Sequence, residues 1–229
     1  MEKARIPRYG REFSGEAGWI AEIGRSVWHH RFGGESWRVI DPEPAFGGPT
    51  LLVTIDTRQP GLEALRLMGC DELPLCSYVN CDIWVGKQVF GILSKERQVH
   101  LISRDIIRPT PLSQECVLPS PFPERPLRLR PMRGEEIPSD EQTYWLACDS
   151  FVGGEAFIRI LGPPLWLDEP VNVDCVCGLA ARYVASIGYE NYDRPSGLLE
   201  GQSFFLGEGA LYFFLCQDCL RLIVVSQGT

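Results

Sequence analysis

The sequence predicts an α+β protein that is predominantly β, built as two similar β-rich halves with a metal-stapled C-terminal part. Three observations carry this: short β-branched and aromatic runs punctuated by Gly, Pro, Asn and Asp, a scarcity of helical periodicity, and four cysteines in two close pairs. With 229 residues, 45% hydrophobic and 23% charged, the chain is long enough to bury a sizeable core and is far from the composition of disordered chains.

Taken in order, the helical spacing of Ala17, Ile20, Ala21, Ile23 and Val27 predicts a helix over 14–27, and Pro60 at a helix start predicts a second over 60–68. Leu51 to Asp56 reads as a strand. The runs at 85–93 and 97–103 flank the Ser94-Lys95-Glu96 turn and read as a hairpin. Pro109, Pro111, Pro119, Pro121, Pro123, Pro126, Pro131 and Pro138 then deny helix interior and central strand to the stretch between them, because proline lacks a donor and fixes its own φ. This predicts an N-terminal half over 1–108, a proline-rich linker over 109–138 and a C-terminal half over 139–229.

The halves share a faint common order that reads as an internal duplication. Each opens on an aromatic residue and a glycine pair before glutamate, Phe32-Gly33-Gly34-Glu35 and Phe151-Val152-Gly153-Gly154-Glu155. Leu51 to Asp56 then corresponds to Tyr183 to Gly188, and Val99 to Ser103 to Leu222 to Ser226. Under this reading a cleft lies between the halves. Gly34 and Gly154 would border it, with Trp37 and Trp166 as its aromatic binding residues, since glycine pairs let backbone approach a partner closely.

The chemistry sits in Cys175-Val176-Cys177-Gly178 and Cys216-Gln217-Asp218-Cys219. Zinc takes four thiolates in a tetrahedron, and two tight turns aiming sulfurs at one point supply them. Cys219 runs into β-branched residues rather than a helix, which argues against a redox Cys-x-x-Cys. Four thiolates leave no open position, so the predicted zinc is structural, in the manner of a zinc knuckle; the competing reading is four buried, unliganded thiols. Cys70, Cys76 and Cys81 form a weaker cluster that would need a fourth ligand from His29, His30 or His100. Cys116 and Cys148 have no partner in sequence.

Catalytic signatures are scarce. Gly86-Lys87 lacks the rest of a phosphate loop, Gly207-Glu208-Gly209 lacks the third glycine of a dinucleotide fingerprint, and Asp41, Glu43 and Asp56 are placed at no fixed separation. The net charge of −8 repels nucleic acid and anionic lipid and accommodates a basic or neutral protein partner more easily. Arg125, Arg128, Arg130 and Arg133 make one basic run, read as a solvated linker. The longest apolar run near a candidate span, Ala210 to Cys216, is far short of the roughly 20 residues that cross a bilayer. Nine cysteines and an N-terminus without an apolar leader predict a cytoplasmic chain with reduced thiols.

The residues Phe151 to Gly154, Pro163-Pro164-Leu165-Trp166, Cys175-Val176-Cys177-Gly178, Tyr183 to Ile187 and Gly209 to Phe214 with Cys216 and Cys219 resemble the YwqG-like bacterial proteins, a family of unknown function. The resemblance covers the C-terminal half, in a cysteine-containing variant, and implies a two-part β-rich fold. Two functions follow as expectations. The first is a non-enzymatic, zinc-stabilised protein-binding module, an immunity or adaptor protein. The second is an enzyme with a cleft in which carboxylates and His29 or His30 perform acid–base work.

Overall fold

In the computed structural model, residues 17–42, 44, 48–80, 86–105, 117–207 and 209–228 are described. The strands are β1 (Trp19–Ile23), β2 (His30–Phe32), β3 (Arg38–Ile40), β4 (Thr50–Asp56), β5 (Glu72–Ser77), β6 (Lys87–Leu93), β7 (Gln98–Arg104), β8 (Arg125–Pro131), β9 (Ile158–Ile160), β10 (Arg182–Ile187), β11 (Gly209–Cys216) and β12 (Arg221–Gly228); the helix α1 is Glu141–Phe151. They form one twelve-stranded, nearly closed sheet in the order β3-β7-β6-β12-β11-β10-β9-β1-β8-β2-β4-β5. Near its two ends the Gln88 amide on β6 bridges to β5. Its oxygen accepts from the Tyr78 N–H at 3.0 Å and its nitrogen donates to the Ser77 hydroxyl at 2.9 Å.

Alternation along the strands sorts side chains between two cores. Leu211, Phe213 and Leu215 of β11 face the interior of the curved sheet with Phe32, Phe90 and Phe204, while Tyr212, Phe214 and Cys216 face outward. Both rows are buried because α1 covers the outer face. Its buried residues Tyr144, Ala147, Cys148 and Phe151 recur at the i, i+3, i+4, i+7 spacing of one helical stripe. Asp140 caps it: the Thr143 N–H donates to Asp140 Oδ1 at 2.8 Å, and the Asp140 N–H donates back to Thr143 Oγ1 at 3.0 Å.

The mostly β architecture is as expected, and several element boundaries are not. The helix expected over 14–27 is strand β1 in its described part. Ile20 and Ala21 are both buried on opposite faces of the sheet, and this two-sided burial mimics helical spacing in sequence. Of the helix expected over 60–68, a single 3₁₀ turn forms at Glu63–Leu65. Helix α1 is not among the elements expected from the sequence, although its cap and stripe are both written in residues 140–151.

The proline-rich stretch contains a central strand. β8 pairs with β1 on one side and β2 on the other. It tolerates proline because Pro126 and Pro131 stand second and last, leaving Leu127 to Arg130 to pair continuously with Ile20 to Ile23. Consequently the halves are interlaced. β1 lies between β8 and β9, and the hairpin β6–β7 packs on β12 rather than on β5.

The repeat is nonetheless visible in the backbone. Around the β1–β8 pair the order β9-β10-β11 on one side answers β2-β4-β5 on the other. β4 pairs with β5 with a register shift between Leu51 and Val53, and β10 pairs with β11 with the same shift between Tyr183 and Ala185. Two left-handed residues follow each preceding strand: Gly33 and Gly34 at φ 62 and 74 after β2, Leu161 and Gly162 at φ 56 and 68 after β9. The partner of Gly33-Gly34 is therefore Leu161-Gly162, not Gly153-Gly154. The hairpins β6–β7 and β11–β12 also share a form, each closing its turn on a left-handed residue, Arg97 or Leu220, both at φ 50.

Candidate metal centre and cavity

Two hairpin tips build the cysteine cluster. The first is a tight loop between Asp174 and Ala180, held by the Cys175 N–H to Leu179 O at 2.8 Å and the Gly178 N–H to Cys175 O at 2.9 Å. Gly178 sits at φ 84, a conformation that favours glycine. The second is the β11–β12 turn, where Cys216 ends β11 and Cys219 precedes left-handed Leu220. The Leu220 carbonyl accepts from the Ile92 N–H at 2.9 Å, so the turn is anchored to β6.

All four sulfurs lie within 4.8 Å of one another, with Cys177 Sγ and Cys216 Sγ 3.7 Å apart. Four sulfurs at ~2.3 Å from one ion would sit about 3.8 Å apart, so the spacing fits a tetrahedral thiolate site. Cys175 and Cys216 are buried, Cys219 is half-buried and Cys177 is exposed. Backbone donors complete the cradle: the Leu179 N–H serves the Cys177 sulfur and the Cys219 N–H serves the Cys216 sulfur. The Leu179 N–H and the neighbouring thiols bring Cys177 down to about 7. Sharing a proton with Cys177 pushes Cys219 up to about 12, and burial raises Cys216. Metal binding requires such thiols to shed their protons. These four cysteines are close enough to hold a metal ion.

Among the described residues, the other cysteines are not drawn together in this way. Cys76 is fully buried in the interior core, Cys70 donates to Glu72 O at 3.5 Å, and Cys81 and Cys116 lie outside the described residues. Cys148 belongs to the buried face of α1.

The residues expected to line a cleft are dispersed. Trp37 is 2% exposed, packs in the interior core and donates its indole N–H to Glu72 Oε2 at 3.0 Å. Trp166 is 5% exposed and stacks on Tyr212 at 4.6 Å in the outer core. Neither offers a ring to a partner, because both rings serve the packing of the sheet. Gly34 is closed over by Glu124, whose Oε2 lies 2.5 Å from where a Cβ would stand. Gly154 does border a cavity.

That cavity, of about 420 Å³, opens where the halves meet. Its apolar wall comes from Ala21 and Ile23 of β1, Leu127 of β8, Ile158 of β9, and Leu198. Its polar rim comes from Glu155, Asn191 and Arg194. The roof is the 190–204 loop, pinned by the buried Glu190 carboxylate, which accepts from the Ser196 and Phe204 N–H groups. Glu22 at the edge is neutralised: burial raises its carboxyl, but Arg130 and Arg128 outweigh that and hold it below the usual range. Among the described residues, neither Glu155 nor Arg194 has a side-chain hydrogen bond or ion-pair partner. Glu155 stands beside Gly154, which the sequence already sets at the border of a cleft, whereas nothing in the neighbourhood of Arg194 marks a loop tip as a cavity rim.

The histidines lie elsewhere. His30 is 1% exposed; its Nε2 bonds Gln59 Oε1 at 2.8 Å and its Nδ1 accepts from the Asp56 N–H at 3.0 Å. Burial lowers His30, against the opposing pull of Gln59 and Asp56. Burial likewise works to raise Asp56, yet bonds from Arg58 and the His29 and Arg58 N–H groups overcome it and hold the carboxyl far below the usual range. Both groups are fully engaged with the protein. Glu43 lies outside the described residues. Three of the four arginines are not on a solvated tether either, because β8 carries them: Arg125 pairs with Glu200 at 2.8 Å, Arg128 with Glu22 of the neighbouring strand at 3.1 Å and Arg130 with Glu136 at 2.6 Å, while Arg133 lies exposed beyond the strand end. Among the described residues, no helix is long and apolar enough to cross a membrane. Comparisons with protein families, with curated proteins and with solved structures returned no match for this chain.

Proposed function

We propose that this chain is a non-enzymatic, zinc-stabilised protein-binding module of the immunity or adaptor kind, working in the cytoplasm on a basic partner. The observation that carries the reading is the cavity at the junction of the halves, with one apolar wall and, at its mouth, the Glu155 carboxylate, unpaired among the described residues. Its wall includes no histidine, and His30 has both ring nitrogens committed. The acid–base alternative therefore has less support than the binding one. The resemblance to the YwqG-like family belongs to the same reading and bears on architecture rather than activity.

In this proposal Cys175, Cys177, Cys216 and Cys219 hold zinc, which ties the 174–180 loop to the β11–β12 turn. All four ligands come from the protein, so the ion supplies cross-linking and no reaction. A net charge of −8 speeds encounter with a basic surface and repels nucleic acid.

The test is capture of the tagged chain from its source cell with covalent cross-linking and mass spectrometry. The reading expects a stoichiometric basic protein whose cross-links fall on the 153–157 and 190–198 segments. A chain that returns alone, or with cross-links only on remote faces, overturns it.

A further inference from the structure

The cavity has a defined chemistry, and on the reading of the chain as a binding module that chemistry describes what enters. Ala21, Ile23, Leu127, Ile158 and Leu198 form one wall that favours an apolar group, beside polar lining from Glu22, Glu190 and Ser196. A volume of about 420 Å³ admits one large aliphatic or aromatic side chain with its flanking backbone, and is far too small for a folded surface. The occupant is thus a protruding anchor residue on an extended segment.

Charge at the mouth selects the anchor's neighbours. Glu155 is exposed and carries no ion pair among the described residues, whereas Glu22 is answered by two arginines and Glu190 by two backbone N–H groups. Asp193 and Glu200 are further exposed acids of the roof loop, against Arg194. Glu200 is the partner of Arg125, so the unbalanced charge lies with Glu155 and Asp193. Arg194, a multidentate donor, is suited to the carbonyls of an extended backbone. The roof is held in place before binding, since the Glu190 carboxylate at the start of its loop binds the middle at Ser196 and the end at Phe204, and a preorganised wall loses little entropy when a segment arrives.

We propose that the cavity receives an extended peptide segment of the partner in which an aliphatic or aromatic residue stands beside lysine or arginine, the anchor filling the apolar wall and the cation pairing with Glu155.

A positional-scanning library of fluorescent hexapeptides, read by anisotropy against the purified metal-loaded chain, tests this directly. The expected result is enrichment of Leu, Ile, Phe or Trp next to Lys or Arg. Glu155→Arg should weaken the best peptide at least tenfold, and Ile23→Trp, which fills the wall, should do the same. Both variants should keep the wild-type metal content. Glu155→Arg lies at an exposed position and decides the matter if Ile23→Trp costs folding. No enrichment, enrichment beside acidic residues, or unchanged affinity in Glu155→Arg overturns the proposal. If wild type and Glu155→Arg capture the same partner equally from cells, the cavity assignment fails and the binding-module reading stands. If the wild type captures none and the library is flat, both fail.

Discussion

Leu52 and Val184 occupy the same place in two copies of one arrangement. Each is the extra residue of a bulge, and each carbonyl accepts from the first of two left-handed residues, Gly33 at 2.8 Å and Leu161 at 2.7 Å. The two copies differ in what crowds them. A Cβ on Gly33 would stand 2.6 Å from Pro123 O and 2.7 Å from Phe122 Cβ, so the first copy admits only glycine. Gly33→Ala should cost about 2–4 kcal/mol, combining left-handed strain with a backbone clash. Gly178→Ala, at φ 84 with nothing within 4 Å, should cost only about 1 kcal/mol. Urea midpoints of the two variants check the contrast; equal losses would refute it.

Purified protein should carry one zinc per chain by elemental analysis. Cys216→Ser, or strong chelation, should loosen β6 together with β11 and β12, because the β11–β12 turn is bonded to Ile92 through Leu220. Hydrogen exchange should show protection lost across these strands in one step. Loss confined to residues 174–180 would show that the metal braces only its own loop.

Arg159 is wholly buried on β9. Its Nη2 donates to Glu136 O at 2.8 Å, while Nε and Nη1 lack partners and no carboxylate pairs with it among the described residues. Burial lowers its affinity for the proton. An unpaired buried cation is costly, so Arg159→Met should leave stability unchanged or raise it by roughly 1–4 kcal/mol. A clear fall in melting temperature would mean that the Glu136 bond outweighs the charge.

Acid should act in two windows. The folded His30 has a lowered pKa, so its contribution is complete above the ordinary value of 6.5 and is lost as pH falls through the folded value below it. Asp56 is lowered as well, so its contribution is complete above the ordinary 3.8 and fades only at stronger acidity. Asp56→Asn should thus destabilise most at neutral pH, and its difference from wild type should shrink below about pH 4. Chemical denaturation at pH 7, 5 and 3 reads this; a difference that grows toward acid would refute it.

The cysteine site was legible because metal ligation is local chemistry: each pair lies within one turn, and the fold had only to bring two turns together. Leu51 to Asp56 and Tyr183 to Gly188 were legible as equivalents because a strand keeps its β-branched run whatever it pairs with. β8 was not. Whether Pro126 and Pro131 break a strand depends on which neighbours need their missing N–H groups, and that is decided by β1 and β2, remote in sequence. Trp37 and Trp166 misled for a related reason, since an indole close after a glycine pair, or after Pro163-Pro164, has the same letters whether it faces solvent or a core.

The position of β1 between β8 and β9 has a consequence for synthesis. Both edges of Trp19–Ile23 are closed by strands made more than a hundred residues later. A ribosome adding ~5–20 residues per second leaves that strand unpaired for roughly 5–20 s, a row of free N–H and C=O groups beside apolar Ile20 and Ala21. Among the described strands, β2 with β4 and β5, and β6 with β7, can pair earlier, but none made before β8 pairs with β1. The emerging chain therefore has to be kept from pairing with other chains until its second half arrives, and its yield in cells should track translation speed and chaperone supply more closely than the stability of the finished sheet.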